Sequence, residues 1–518
     1  MSSETPPHPA DPDGADPTAN VVAEGADTDA ARTATARATQ GSRWGVISGM
    51  CEQLGSMAVT IVLARLLDPS AFGVVAAATI VINLLHLFGN VGFGASLIKR
   101  DNIDEPIAST TFWSAAAMGL LLSAVCAAAA PMLSRALNQP GITLYVVALS
   151  PVLFISMLSS VSEAYLLRAL RFPWVYTADI GNIVVYAAST IVLAALGAGA
   201  WSMVWGRLAG EVVGCAIRVF SARFRPRWIF HWSSIRADLR FNSGYLASQT
   251  VGYFNKNVDY LAVSRRLGKR DLGTYYVAFV LPNILRQRMT WLANDILFPL
   301  MARAKDDRDQ FIAIYRNSTQ FLIFVSQPLL LGVALTAPEV IGLAFGPRWS
   351  GAVAPLRWLT IAAATEAATA GTGTMFLAIG KPGVMARMLV WRFAMYATSI
   401  TFAVYRYHSI TAVAVAVTVS NVASNAQILR VARAAFGVGV LEWLSWSRVT
   451  FFGSAVMALA VVGVGSLTRS AGQVVQSVAM VPTGVVAYLG TCWLVDRAFT
   501  ASMMNTVMRV LRPSRASA

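Results

Sequence analysis

Apolar stretches of roughly 20 residues alternate with short polar segments along most of the chain. A helix of that length crosses the roughly 30 Å of hydrocarbon in a bilayer. Because hydrocarbon offers backbone groups no hydrogen-bonding partner, each stretch is expected to be helical. The pattern predicts an all-α polytopic membrane protein with about fourteen transmembrane helices. They are predicted at 44–66, 72–98, 108–130, 142–166, 176–197, 201–220, 239–267, 271–300, 311–336, 352–380, 384–405, 409–434, 447–468 and 473–495.

Composition and charge placement agree with this class of protein. Of the 518 residues, 56% are hydrophobic and 13% charged, whereas soluble proteins carry about 25% charged residues. The formal net charge is +15, and most Lys and Arg stand in short segments on one side of the predicted helices. This bias predicts cytoplasmic N- and C-termini in the cell membrane, although the predicted outer turn at 265–270 departs from it. No basic stripe with interleaved aromatics is present, so we expect no nucleic-acid partner.

An internal repeat relates two parts of the chain at a constant offset of 200 residues. Arg65 matches Arg265, and Gly73 matches Gly273. Six predicted helices separate the copies, so both run in the same direction across the membrane. Transporters built from parallel repeats hold their substrate between two halves that rock to alternate access. The repeat therefore predicts two six-helix lobes related by a pseudo-two-fold axis along the membrane normal.

The predicted domains follow from the helices and from the polar ends. Residues 1–40 have few large apolar side chains and are expected to form a disordered cytoplasmic tail. The N-terminal lobe is placed at 41–235, the C-terminal lobe at 236–435, and helices 13 and 14 at 436–498. Residues 499–518 mix apolar and basic side chains, which is typical of a cytoplasmic amphipathic segment on the membrane surface.

Several blocks, spaced along residues 62–359, carry a family resemblance. They are VLARLLDPSAFGVVAAATIVINLLHLFGNVGFGASLIKR at 62–100, YLLRALRFPWVYTADIG at 165–181, NKNVDYLAVSRRLGKRDLGTYYVAF at 255–279, ILFPLMARAKDDRDQF at 296–311 and APEVIGLAFGPRWSGAVAPLRWL at 337–359. The chain resembles the Wzx-type flippases, the polysaccharide transporter branch of the multidrug/oligosaccharidyl-lipid/polysaccharide exporter superfamily. The resemblance implies a central cavity and the flipping of a polyprenyl-diphosphate-linked oligosaccharide, with glycosyltransferases and a polymerase as partners. It brings no short catalytic signature.

Cationic residues within the predicted helices are the candidates for substrate binding. Each charge at the centre of a membrane helix costs about 2.5–3.5 kcal/mol on insertion scales and so needs a reason. The guanidinium fork suits the oxygens of a diphosphate. Alternatively, an arginine pairs with Asp295 or another helix, and the lysine pairs with Asp259, for structural purposes only. The candidates are Arg286, Arg288, Arg392, Lys256 and the neighbouring Asn255.

Carboxylates within the helices are the candidates for ion coupling. Glu52, Asp259 and Glu366 are proposed for this role, with Glu163 as a weaker candidate. Glu52, Glu163 and Glu366 have no obvious cation nearby in the sequence, and a buried carboxylate can exchange H+ or bind Na+. The alternative is a protonated or hydrogen-bonded structural side chain. Arg207 and Glu211, four residues apart, are expected to pair with each other.

Other function classes are disfavoured by what the sequence lacks. No G-x-x-x-x-G-K-[ST] phosphate loop occurs, so ATP hydrolysis by this chain is not expected. The four histidines are too scattered for a metal or triad motif, and we expect no cofactor and no enzymatic activity. Two alternatives to a flippase stay open, an ion-coupled multidrug exporter of the same superfamily and a membrane polysaccharide polymerase or glycosyltransferase. The last would require a sizeable outer loop, and the predicted outer loops are short.

Overall fold

The computed structural model describes residues 45, 49, 51–89, 97, 105–230, 232–293 and 297–511, and these ranges contain helices and connecting segments but no strand. The long helices are α1 (51–66), α2 (Pro69–Gly89), α3 (Glu105–Ala136), α4 (Thr143–Arg168), α5 (Phe172–Ala195), α6 (Ala200–Ala222), α7 (Trp232–Leu267), α8 (Lys269–Leu292), α9 (Arg308–Leu335), α10 (Val353–Ala378), α11 (Pro382–Tyr407), α12 (Ile410–Phe436), α13 (Arg448–Leu467), α14 (Gln473–Val495) and α15 (Arg497–Leu511). Residues 1–40 and 512–518, part of the predicted tails, lie outside the described residues.

Eight of the described helices are long and apolar enough to cross a membrane: α2, α3, α4, α5, α9, α12, α13 and α14. The chain is therefore an all-helical, multi-pass membrane protein. Helices α6, α7, α8, α10 and α11 are of similar length but carry the intramembrane charges that the sequence pattern singled out. Those charges and the small polar residues beside them lower the apolarity of these helices.

Helix ends follow local sequence signals. The side chain of Asp307 accepts hydrogen bonds from the backbone N–H groups of Asp309 and Gln310, which caps the first turn of α9. At the C-terminal end of α12, Gly437 has a φ of +79°, a left-handed conformation that glycine adopts without steric cost. The acidic run at 306–309 thus spans the end of the preceding connection, the N-cap and the first turn of α9.

Helices α2 and α8 approach so closely that only glycine fits between them. A Cβ atom on Gly73 would overlap the carbonyl oxygen of Lys269, and a Cβ atom on Gly273 would overlap that of Pro69. The two contacts are reciprocal, because Pro69 and Lys269, like the two glycines, are 200 residues apart. The two copies of the repeat therefore meet at the first turns of their helices.

The same end of the molecule is held together by further contacts between the first half of the chain (45–230) and the second half (232–436). Arg65 donates to the carbonyl oxygens of Leu343 and Ala344, and Arg265 donates to that of Ala136. The indole Nε1 of the buried Trp349 donates to Ala64 O at 2.8 Å. We call this region the closed end.

Polar and aromatic side chains complete the closed end. The amide Nε2 of Gln139 donates to both the carbonyl oxygen and the hydroxyl of Ser264, at 2.8 and 2.9 Å. Phe72 meets Trp349 edge to face, with 5.2 Å between ring centroids. Both rings are almost fully buried, so packing and hydrogen bonding together join the two halves here.

Candidate functional site

A cavity of about 1090 Å3 lies between the two halves of the chain. Helices α1, α2, α4, α5 and α6 form its first-half wall, and α7, α8, α10, α11 and α12 form its second-half wall. Phe72 of the closed end contributes to the lining. Glu52 also lines the cavity, but it lies at the opposite end of α1, away from the closed end. The charged lining residues are Glu52, Glu163, Asp179, Arg207, Glu211, Arg218, Lys256, Asp259, Arg286, Glu366 and Arg392.

Glu366 of α10 is the centre of a four-donor cluster on the second-half wall. Its Oε1 lies 3.3 Å from an Nη atom of Arg286 and 3.3 Å from one of Arg392. Its Oε2 lies 3.1 Å from the other Nη of Arg392 and accepts from the amide of Asn421 at 3.3 Å. Glu366 has no cation nearby in the sequence, and both of its arginine partners come from neighbouring helices rather than from its own.

Arg286 and Arg392 each have a second partner that orients the guanidinium. Arg286 donates to the amide oxygen of Asn283, one turn earlier on α8, at 2.6 Å. Arg392 donates to the hydroxyl of Tyr396 on α11 at 3.2 Å and lies over its ring. Both arginines are therefore fixed at the cavity wall instead of extending freely into the water.

Lys256 adds a third cation to this wall. It lines the same cavity and interacts electrostatically with Arg286, Glu366 and Arg392. Its ammonium group makes no ion pair among the described residues. With three cations around one carboxylate, this part of the wall carries a formal charge of +2.

Asp259 does not pair with Lys256, so that structural interpretation is wrong. Its Oδ2 accepts from the hydroxyl of Tyr275 at 2.8 Å, and its Oδ1 accepts from the backbone N–H of Tyr260 at 2.9 Å. Both Asp259 and Tyr275 are buried, 5% and 0% exposed. The carboxylate thus connects α7 to α8 through a hydroxyl rather than through a cation.

Asn255 joins α7 to α11 and leaves one polar atom without a partner. Its amide nitrogen donates to Val251 O at 3.2 Å and to Leu389 O at 3.1 Å. Its Oδ1 is buried and makes no hydrogen bond among the described residues. Asn255 lines the cavity, but this oxygen is itself enclosed and so is not exposed to the cavity.

Arg288 lies apart from the cavity. Its guanidinium donates to the carbonyl oxygen of Gly49 at 2.7 Å, and it is not a lining residue. Residues two apart on a helix diverge by about 200°, so Arg286 and Arg288 cannot both face one cavity. Asp295, the partner considered from the sequence, lies outside the described residues.

The first-half wall contains a second cluster that the sequence reasoning did not identify as a site. Arg218 of α6 pairs with Asp179 of α5 and lies 3.4 Å from Glu163 of α4. Glu163 has no cation nearby in the sequence, and its partner comes from another helix. Asp179 and Arg218 lie close to the ends of their predicted helices, 176–197 and 201–220, where a charge costs less than at the helix centre, so that cost did not identify them.

The remaining charged residues of this wall behave differently from one another. Arg207 and Glu211 form the expected ion pair along α6, with a separation of 2.8 Å. Glu52 is exposed to the cavity and makes no ion pair or hydrogen bond in the part of the chain that the structure describes. Within that part, no group of three or more His, Cys, Asp and Glu residues is arranged to hold a metal ion.

Comparison with known proteins shows which family the chain is similar to. Residues 62–354 match the family described as "Polysaccharide biosynthesis protein". The chain is similar to the lipopolysaccharide biosynthesis protein WzxC of Escherichia coli K12, with 21% identity over 68% of this chain and 72% of that one. It is also similar to the succinoglycan biosynthesis transport protein ExoT of Rhizobium meliloti, with 26% identity over 60% and 63%.

A solved structure shares the fold. The lipid II flippase MurJ in an inward closed conformation superimposes with a TM-score of 0.70 at 12% sequence identity, covering 87% of this chain and 98% of that one. At such low identity the likeness concerns the fold alone. The family match extends over more than half of the residues, from α1 to the start of α10. The chain therefore belongs to the polysaccharide biosynthesis protein family.

Proposed function

We propose that this chain is a flippase that moves a polyprenyl-diphosphate-linked oligosaccharide across the cytoplasmic membrane for the synthesis of a cell-surface polysaccharide. Family membership and the printed names of its relatives, a lipopolysaccharide biosynthesis protein and a succinoglycan transport protein, support this function. The observation that carries it is the cationic wall, which we define as Lys256, Arg286, Arg392 and Glu366. The protein acts as a transporter and not as an enzyme.

The cationic wall is chemically suited to a diphosphate. Two guanidinium groups already bind one carboxylate, and a phosphate oxygen makes the same kind of charge-assisted hydrogen bond. Lys256 adds a positive charge that interacts with Glu366 without forming an ion pair with any described carboxylate. A bound diphosphate would share the arginines with Glu366 or displace it, and would bring the formal charge of this wall close to zero.

The architecture that accompanies this function is alternating access between two six-helix lobes, 41–235 and 236–435, with two further helices at 436–498. Fourteen spans with cytoplasmic termini would place the closed end on the outer side of the membrane. The cavity would then accept its cargo from the cytoplasmic leaflet. The reciprocal contact of α2 and α8 supports a pseudo-two-fold relation between the lobes, because equivalent residues meet at it.

Coupling to H+ or Na+ would use carboxylates of the same cavity. Asp259 is held only by a hydroxyl and a backbone N–H, so its charge is less compensated than that of Glu366. Glu52 faces the cavity without a partner among the described residues. Glu366 would respond to cargo instead, since its two arginines are the proposed diphosphate ligands. Glycosyltransferases and a polymerase would act before and after the transport step.

The first experiment compares membrane lipids and polysaccharide in cells that lack this protein. Accumulation of one polyprenyl-diphosphate oligosaccharide in the mass spectrum, with loss of its polymer, is expected. Re-expression of the wild-type chain should reverse both changes, whereas Arg392→Gln should not. Arg430→Gln is the matched control, because Arg430 is exposed on α12 and does not line the cavity. Unchanged lipids and polymer would contradict the proposal and favour the multidrug exporter.

A further inference from the structure

The cavity wall opposite the cations is polar and negatively charged. It comprises Glu52, Glu163, Asp179 and Glu211 with Arg207 and Arg218, and we call these six residues the acidic wall. Four carboxylates and two guanidinium groups give a formal charge of −2. The cationic wall, with three cations and one carboxylate, carries +2, and the buried Asp259 on the same side lowers the total for the second-half wall to +1. A cargo that fills the cavity therefore meets opposite charges on its two sides.

Accessibility strengthens the negative character of the acidic wall. The side chain of Arg218 is only 12% exposed, whereas those of its partners Glu163 and Asp179 are 40% and 28% exposed. The cation thus lies behind the two carboxylates that it holds. The pair of Arg207 and Glu211 shows the reverse order, with the cation 53% and the carboxylate 12% exposed. Glu52 adds an exposed carboxylate without a partner in the described ranges.

Neutral hydrogen-bonding groups lie between these charges. Hydroxyls and amides from α1, α2, α4 and α5 line the same wall, together with the ring of Tyr186. Carboxylate, amide and hydroxyl oxygens all accept hydrogen bonds from sugar hydroxyls. The neutral groups are Ser56, Thr79, Asn83, Ser156, Ser159, Ser160 and Asn182.

From this arrangement we infer that the two walls divide the cargo between them and that the acidic wall selects for sugars without a carboxylate. The inference rests on the proposed function, since the diphosphate is assigned to the cationic wall. A sugar attached to that diphosphate extends toward the opposite side of the cavity. Neutral hydroxyls there gain acceptors, whereas a uronic acid meets carboxylates of its own sign. Like charges brought together at an interface cost enough to reject a ligand.

The test is a binding comparison with two lipid probes and the purified full chain in lipid nanodiscs. One probe is polyprenyl diphosphate carrying N-acetylglucosamine, and the other is the same lipid carrying glucuronic acid. Native mass spectrometry measures both dissociation constants. We expect the neutral probe to bind at least about tenfold more tightly than the acidic one. Equal affinity, or tighter binding of the acidic probe, would overturn the inference.

Variants locate the selectivity in the acidic wall. Glu52→Gln combined with Glu163→Gln should reduce the ratio of the dissociation constant of the acidic probe to that of the neutral probe at least about threefold. The change should come mainly from tighter binding of the acidic probe. Asp306→Asn is the control, because Asp306 is an exposed carboxylate outside the cavity lining and should leave the ratio unchanged. An unchanged ratio in the double variant would also contradict the inference. If that variant fails to fold, the wild-type ratio still decides.

Failure of the proposed function would have a different signature. In that case neither probe would bind, and Arg392→Gln would not weaken the binding of polyprenyl diphosphate without a sugar. Diphosphate binding that depends on Arg392, without discrimination between the two sugars, would instead retain the flippase and reject the selectivity.

Discussion

Glu366 shows how charged side chains are accommodated in this cavity. Its carboxylate accepts from two arginines and an asparagine on three different helices, so no charge in the group lacks a partner. Removing one member of such a group is more damaging than replacing all of it, because the remaining like charges then face each other. The cluster therefore makes α8, α10, α11 and α12 depend on one another.

Glu366→Gln is expected to lower the thermal stability of the protein in detergent. The loss is on the order of 1–3 kcal/mol, less than for a fully buried pair because water reaches the cavity. Polyprenyl diphosphate should restore more stability to this variant than to the wild type, since it supplies the missing negative charge. Melting temperatures with and without the lipid measure both effects. Glu366→Asp is the control that retains the charge, and an equal ligand-induced shift in all three proteins would contradict the assignment.

Tyr275→Phe tests the buried carboxylate of Asp259. The substitution removes the only side-chain donor to Asp259 that the described residues supply. We expect a loss of about 1–3 kcal/mol in unfolding free energy, because a buried acceptor is left without its partner. Tyr276→Phe is the matched control one residue along, and should be close to neutral. Equal melting temperatures for the two variants would show that the hydroxyl of Tyr275 contributes nothing specific.

At the scale of helices, the contact between α2 and α8 rests on the absence of two side chains. The first turns of these helices meet backbone to backbone at Gly73 and Gly273, with no space for a Cβ atom on either side. The sequence comparison paired these glycines by their spacing, but it did not indicate that they touch. Such an approach brings backbone atoms into direct contact and leaves no flexible group that can move away.

Gly273→Ala is expected to force α2 and α8 apart and to weaken the closed end. Overfilling a packed contact costs about 1–3 kcal/mol, and here the obstructing atom is the backbone oxygen of Pro69. The melting temperature should fall, or the protein should shift toward a form opened at this end. Gly332→Ala in α9 is the control, because a Cβ atom there meets nothing within 4 Å. A Gly273→Ala protein as stable and as closed as that control would refute the role of this contact.

For the whole molecule, contacts between the two halves define the state that the structure represents. Arg65 and Arg265, equivalent in the repeat, each donate to backbone carbonyl oxygens of the opposite half at the closed end. Trp349 and Gln139 add hydrogen bonds at the same end. The proposed alternating access requires all of these contacts to separate, so their combined strength would set the balance between the two states.

Replacing both Arg65 and Arg265 by Gln should shift this balance toward opening of the closed end. Labelling of Ser264→Cys, in a chain whose native cysteines are replaced, measures the shift, because Ser264 is buried at that end. We expect labelling at least about fivefold faster in the double variant. A free-energy change of a few kcal/mol shifts a two-state equilibrium by more than this factor. Arg348→Gln is the control, since its pair with Asp68 is exposed and contributes little. Equal labelling rates would show that the arginines do not hold the end closed.

The sequence predicted local features of the fold well and contacts between distant residues poorly. Runs of apolar residues located the helices, and the helical period alone separates Arg286 from Arg288 by about 200°. The partners of Glu366 and Glu163 could not be predicted, because Arg286 and Arg392 lie 80 and 26 residues from Glu366, on other helices. Asp179 and Arg218 were missed as site residues because they lie near the ends of their predicted helices. Helix packing decides which charges meet. The sequence of a single helix carries no information about that packing.

The reciprocal glycine contact has a consequence for the origin of this cavity. A contact in which equivalent residues touch equivalent residues is isologous, the geometry of a symmetric homodimer. Two identical chains joined in that way would have to present the same charge on both sides of any cavity between them. In the present chain the contact keeps its symmetry, while the second-half wall carries a net formal charge of +1 and the first-half wall −2. Joining both copies in a single polypeptide allows the walls to diverge, and so permits a polarised chamber that no homodimer could form.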